Sequence, residues 1–305
     1  NTGWQNGDIK LATLSDTSTT NVTGAELVTN GTFASDSSWT KGTGWTIASG
    51  VATATDVDNF VSIQSTAFTT VVGEQYTVTV DITARSAGAR NSAQGNYPVG
   101  PTVSAVGTYT LTFTALTTSS VVEAQAIGTT SLSIDNFTTR IAESDRSYNG
   151  NGLQVFGTIT KDVVATGNDL VGYTDFSDNT NYLFQPPNSD MDFGTGDLSA
   201  VMWHKHLDAT LNDTIYFVNG SSSNHSWQVG AAGSDQSYLW TTAGGVKART
   251  ASGTVIHQQW THLAYIRRGG FTEIWVNGVL MATAVTTTDL DTNTGIEVPT
   301  ASNAG

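Results

Sequence analysis

"SDMDFGTGDLSAVMWHKH", residues 189–206, leads an acidic, glycine-punctuated turn straight into a strand that carries Trp203. Gly194 and Gly196 permit the positive φ of a tight turn. After them Leu198, Ala200 and Met202 alternate with Ser199, Val201 and Trp203, so the first set is expected in a core and Trp203 on the opposite face, covering the sheet. A second stretch, "QWTHLAYIRRGGFTEIWVNGVLMAT" (259–283), holds Asn277–Gly278, the dipeptide of a type I′ hairpin, which would fold Ile274 and Val276 back onto Val279. Arg267–Arg268, the only adjacent basic pair, reads as a solvated strand end.

The composition agrees with strands and turns. Charged residues make up 12% of 305, while Gly, Thr, Ser, Asn and Ala fill most of the rest, which leaves little material for helices with charged outer faces. The length is that of about two domains, each able to bury its own core. A formal net charge of −14 sets the chain against phosphate backbones and anionic lipid surfaces, so nucleic acid is not an expected partner. With no cysteine there are no disulfides, thiolate metal sites or cysteine nucleophiles. The same absence suits a bacterial surface protein or a particle protein folded inside a reducing cell. No run approaches the ~18 apolar residues of a membrane span, so membrane insertion is not expected. The chain opens on Asn1, as a processed chain or part of a longer one would.

Residues 1–24 are polar, with Trp4, Ile9, Leu11 and Leu14 as anchors, and read as a connector or docking arm; a tail packed on the first domain is the alternative. From 25 to 141, "EQYTVTVDITAR" and "GTYTLTFTAL" set Tyr76, Val78, Val80, Ile82 and Tyr109, Leu111, Phe113 against threonines at a period of two. With "WTIASGVATAT", "VSIQSTAFTT", "VVEAQAI" and "SLSIDNFTTR" they make six or seven expected strands, the spacing of a sandwich. Residues 142–165 contain the turn signal NGNG and read as a linker with a short hairpin; residues 166–305 are again strand and turn. The expected fold class is all-β, two tandem β-sandwich (jelly-roll) domains.

"MDFGTGDLSAVMW" together with "QWTHLAYIRRGGFTEIWVNGVLMAT" resembles the paired signatures of laminin-G-like, concanavalin A-like jelly rolls. Those jelly rolls ordinarily add strands after the hairpin. Here the loop-like "TTDLDTNTGIEVPTASNAG" follows, so an exposed sheet edge is expected, closed either by chain beyond Gly305 or by a neighbouring subunit. Residues 25–141 resemble the galactose-binding-like jelly roll of carbohydrate-binding modules, on "ELVTNGTF", "VVGEQYTVTVDI", "GTYTLTFTA" and "SLSIDNF". That resemblance implies a structural Ca²⁺ held partly by Asp135, although Thr32 and Ala34 stand where acids are expected. "DRSYNGNGLQVFGTITKDVVATGNDLVGYTDFS" and "NYLFQPPNSDMDFGTGD" are similar to passages of fibre and tail proteins of tailed phages.

Catalytic signatures are missing. A glycosidase on such a sheet needs two facing carboxylates, whereas Glu273 is alone on its strand; a nucleophile elbow, a P-loop and a dinucleotide fingerprint are also absent. His204 and His206, at i and i+2, share a face and could begin a metal site completed by His225, His257 or His262. No acid follows at a matching spacing, so His204 is read as continuing the core set and His262 as structural.

Sugar-binding proteins stack pyranose rings on exposed Trp and Tyr. The carbohydrate-binding candidates are Trp39 and Trp45 around "WTKGTGW", Tyr97 in the polar loop "RNSAQGNYPVGP", and Trp227, Tyr238 and Trp240 in the second half. For Trp45, Tyr238 and Trp240 core packing is the competing use. The resulting expectation is a non-enzymatic phage virion protein at the particle surface, presenting glycan-binding domains to cell-surface glycans, contacting other virion proteins and forming a homo-oligomer. An ancillary carbohydrate-binding region of a bacterial polysaccharide-degrading enzyme and a pair of ligand-free spacers are the alternatives.

Overall fold

The computed structural model describes residues 17–93, 100, 102–144, 147, 149–167, 170–176, 180–187, 193–205, 213–221, 224–232, 236–241, 245–287, 289, 296–298 and 300–301. Among them every regular element is a strand, and the fold is all-β, two tandem β-sandwich domains. The chain divides into two compact units, with the division between Val155 and Phe156, inside the strand Leu153–Val163.

In the first unit two long antiparallel strands, Gln75–Ala93 and Glu123–Glu143, pair along nearly their whole length. The strands Val51–Val57 and Ser62–Ser65 attach to different parts of Glu123–Glu143, Gly107–Thr114 lies beside Gln75–Ala93, and Trp39–Lys41 and Trp45–Ala48 complete the layers. The alternation in "YTVTVDI" is the cause: Tyr76, Val78, Val80 and Ile82 are all buried, meeting Phe113, Leu132, Ile134 and Phe137 in one core.

Two of the expected strands prove to be one. "VVEAQAI" and "SLSIDNFTTR" merge into Glu123–Glu143, because Gly128 at φ +70° is accommodated as a register break between Ile127 and Ser131 and does not end the strand. Conversely "WTIASGVATAT" is two strands closed by Ser49 and Gly50 at φ 54° and 78°, a two-residue hairpin turn. NGNG forms the turn before Leu153–Val163, which pairs back on Glu123–Glu143 through Ala142↔Gln154 and Glu143↔Leu153.

In the second unit a four-stranded antiparallel sheet runs in the order Leu198–Lys205, Trp260–Arg268, Phe271–Val276, Val279–Val285. A second layer contains Tyr182–Gln185, Asp213–Ser221, Asn224–Ala232, Gln236–Thr241 and Gly245–Arg249. The segment after the hairpin is not wholly loop. Ile296–Val298 pairs with Tyr182–Gln185 and Asp213–Ser221, and Thr300–Ala301 pairs with Asp213–Ser221, so the tail extends this second layer. Leu263, Tyr265, Ile274 and Val276 fill the space between layers, and the buried Tyr265 hydroxyl meets Ser237 Oγ at 2.5 Å. Burial pushes the Tyr265 phenol well above its ordinary range, so it stays neutral.

The opening stretch has a structural answer. Arg267 is not a solvated strand end: it is buried, and its guanidinium donates to three carbonyls of the glycine turn, Gly196 at 2.7 Å, Gly194 at 2.9 Å and Phe193 at 3.3 Å. Burial lowers the Arg267 pKa, while Asp197 and Asp289 oppose that shift. Gly194 takes φ +47°, as expected; Gly196 is outside the left-handed region and contributes instead through its N–H, which donates to Phe193 O at 2.9 Å. Asp197 accepts from the Gly269 N–H at 3.0 Å. The turn is therefore a carbonyl cradle for one arginine, pinned to the next hairpin.

Candidate functional site

Period-two alternation and the strand registers sort the four-stranded sheet into two faces. Met202, Leu263 and Val276 lie on the inner one. Trp203 and His262 are paired on the outer one, and so are Val201, Ala264 and Trp275 in the next row. The outer face is strongly apolar. Trp203 is 65% exposed and Val201 55%, with Phe271 and Val285 continuing the face at 50% and 68%. Trp203 thus stands on the expected side of its strand, but nothing described covers it.

The ring of Trp203 packs edge-on to His262, with centroids 5.2 Å apart and planes at 64°. Ala264, a small residue between Val201 and Trp275, leaves a shallow floor. From the usual strand separation and rise, Trp203 and Trp275 stand about 12 Å apart on this face. Beside them lies a polar edge. Glu273 Oε2 accepts from Trp275 Nε1 at 2.9 Å, and Oε1 accepts from Arg268 Nη2 at 2.8 Å and Nε at 3.1 Å. Hydrogen bonds from Trp275 first, and then from Arg268, hold the Glu273 carboxyl below the usual glutamate range. The Arg268 side chain is 64% exposed, so it can also offer donors outward. The hairpin behind this edge is the expected one: Asn277 and Gly278 take φ 49° and 79°, and Asn277 Oδ1 accepts from the His262 N–H at 2.9 Å.

Several proposed sugar platforms lie elsewhere. Trp39 and Trp45 are in the core of the first unit. The Trp39 ring sits 4.9 Å from Phe33 and 5.4 Å from Phe137, its indole N–H donating to Asn30 O at 3.0 Å, and the Trp45 N–H points at Val61 O. Neither can present a face to a sugar. Tyr238 is likewise buried, at 4% exposure. Tyr97 lies outside the described residues; for Trp227 and Trp240 the backbone is described, in register with Thr241 and Gln228, and the side chains are not.

Asp135 does not fit a calcium ion. It pairs across the sheet with Asp81, but its Oδ1 accepts from its neighbour's N–H at 2.7 Å. Asp81 accepts from Thr108 at 2.6 Å and Asn136 at 2.8 Å. A Ca²⁺ needs six to eight oxygens, and these carboxylates already serve protein donors. Among the described residues no three His, Asp or Glu side chains cluster as metal ligands, and His206, half of the histidine pair, lies outside those residues.

The outer-face residues carry no loop-like sequence mark of a sugar platform, because each stands where a structural role is expected. Trp203 sits where sheet cover is expected, and His262 and Trp275 fall inside the second fold signature. The available signal is "FTEIWV", in which Phe271, Glu273 and Trp275 alternate with Thr272, Ile274 and Val276, so that the outward face carries two rings around one carboxylate.

Residues 177–301, within the second sandwich, match the family described as the Concanavalin A-like lectin/glucanases superfamily. Among solved structures, the chain is similar to the N-terminal CBM22-1–CBM22-2 tandem domain of Xyn10C from Paenibacillus barcinonensis, at 13% identity over 91% of this chain and 96% of that one. The TM-score is 0.24. No curated protein matches the chain.

Proposed function

We propose that this chain is a non-enzymatic glycan-binding protein whose second sandwich uses the Trp203–His262–Trp275 face as its sugar platform. The observation that carries this is the exposed Trp203 ring beside His262 on the outer sheet face, with the largely exposed Arg268 guanidinium at hand for hydroxyls. Pyranose C–H faces pack on such rings, while carboxylate and guanidinium groups accept from and donate to the hydroxyls around them. Catalysis on this fold would want a pair of free carboxylates, and Glu273 has both oxygens engaged by Trp275 and Arg268.

The setting we propose is the surface of a tailed-phage particle, where the domains attach it to glycans of the host envelope. The resemblance of residues 145–197 to phage fibre and tail proteins supports that setting. Weak single sites would be multiplied by copy number, and linked sites gain roughly 10²–10⁴ in avidity. A glycan array probed with the full chain tests the binding: at least one polysaccharide should be retained, and Trp203→Ala should lower that signal at least about tenfold, equivalent to ~1.4 kcal/mol. An array with no retained glycan, or one unchanged by Trp203→Ala, would overturn the reading.

A further inference from the structure

The outer face of the four-stranded sheet is positive on a negative chain. Of the side chains that alternate onto it, the charged ones are Lys205, Arg268 and Glu273, two cations against one carboxylate, while the chain as a whole has a formal net charge of −14. The two cations are placed differently. Arg268 is committed to Glu273, and Asp197 stands at the same end of the sheet, accepting from the Gly269 N–H at 3.0 Å. That end is balanced. Lys205 stands at the opposite end, across from Trp260, and belongs to none of the ion pairs among the described residues. No ion pair joins it even to Asp162, which is in register with Gly172 on the hairpin that packs against Trp260.

Around Lys205 the strand register builds a square of side chains. Lys205 pairs with Trp260 and Trp203 with His262, and the two members on each strand stand about 7 Å apart. Trp260 is fixed by its surroundings: its indole N–H donates to Val164 O at 3.2 Å, and a Cβ on Gly172 would fall 3.1 Å from its ring, so a larger residue there would displace it. Trp203, the most exposed of these rings, therefore lies one strand step from an ammonium group with no carboxylate partner. At physiological ionic strength, exposed charges more than about 8 Å apart are largely screened, so a ligand on Trp203 meets the charge of Lys205 far more than the distant carboxylates that make the chain acidic.

Resting on the glycan reading above, we propose that the polysaccharide bound at this face is acidic, with one sugar ring on Trp203 and its anionic substituent, a carboxylate or a sulfate, accepting from Lys205 Nζ. Lys205 is then the residue that selects the glycan. A neutral polysaccharide gains only the stacking on the rings, whereas an acidic one adds a charge-assisted hydrogen bond to it.

The test is an array that pairs polygalacturonate, alginate, hyaluronate and dextran sulfate with their carboxyl-reduced or desulfated forms, probed with the full chain. At least one acidic member should be retained about threefold better than its neutral counterpart, the size of effect expected of one exposed ion pair. A preference within the carboxyl pairs or within the sulfate pair identifies the substituent. Lys205→Gln should remove the preference without changing retention of the neutral form, and Lys205→Arg should keep it; Trp203→Ala should weaken both forms alike. The neutral form doubles as a check that Lys205→Gln is folded. Retention of neutral glycans alone, equal retention of both members of every pair, or a preference that survives Lys205→Gln would overturn the assignment and leave the Trp203 platform standing. An array that retains nothing would remove the platform, and the acidic glycan with it.

Discussion

Trp39 and Trp203 are the same side chain put to opposite uses. Trp39 was flagged in the sequence by its polar neighbours, but those neighbours serve the loop backbone: Asn30 Nδ2 donates to Ser35 O at 2.7 Å and Ser37 O at 2.9 Å while the ring goes inward between Phe33 and Phe137. Trp39→Ala should therefore cost about 3–5 kcal/mol in urea unfolding, the range for an emptied aromatic core position. Trp203→Ala, by contrast, should leave the urea midpoint nearly unchanged. Glu273 offers a pH test. Its carboxyl is held below its unfolded value, so its contribution is present at neutral pH and is lost as pH falls through the lowered folded-state pKa. The difference in urea midpoint between wild type and Glu273→Gln should be visible at pH 7 and shrink as the pH drops below the ordinary glutamate range; a difference independent of pH would contradict the assigned partners.

At the level of elements, alternation was the most legible feature. "YTVTVDI" buries its expected core set, and "LSAVMW" turns Leu198, Ala200 and Met202 to the less exposed face but leaves them half-buried, because a strand's two faces are written directly into every second residue while the depth of cover is not. Strand ends were less legible: Gly128 looks like a stop in the sequence and acts as a bulge inside Glu123–Glu143. Whether a face is covered was not legible at all, since that depends on what other segments pack there, and the exposure of Trp203 went unforeseen for that reason. Arg267 shows the same limit. Its neighbour Arg268 is largely exposed, yet Arg267 alternates inward to the carbonyls of Phe193, Gly194 and Gly196. Arg267→Lys keeps the charge but not the planar fork, and should destabilise the second sandwich by about 3 kcal/mol, seen as a lowered thermal midpoint. An unchanged midpoint would mean the turn stands without that cradle.

For the whole molecule, the core of the first unit is built of aliphatic and aromatic side chains, and a chain with no cysteine has no disulfide to add to it. The engaged carboxylates of Asp81 and Asp135 imply that EDTA will leave the melting temperature where it is; a drop on chelation would place a structural ion in the fold. The central claim, that a ring-bearing sheet face of the second sandwich recognises glycan, is tested most directly by depletion of the full chain onto the polysaccharide its array selects. Wild type should be depleted from solution, and the Trp203→Ala, Trp275→Ala double variant should stay in solution while keeping the wild-type circular dichroism spectrum. Equal depletion of a folded double variant would contradict the account.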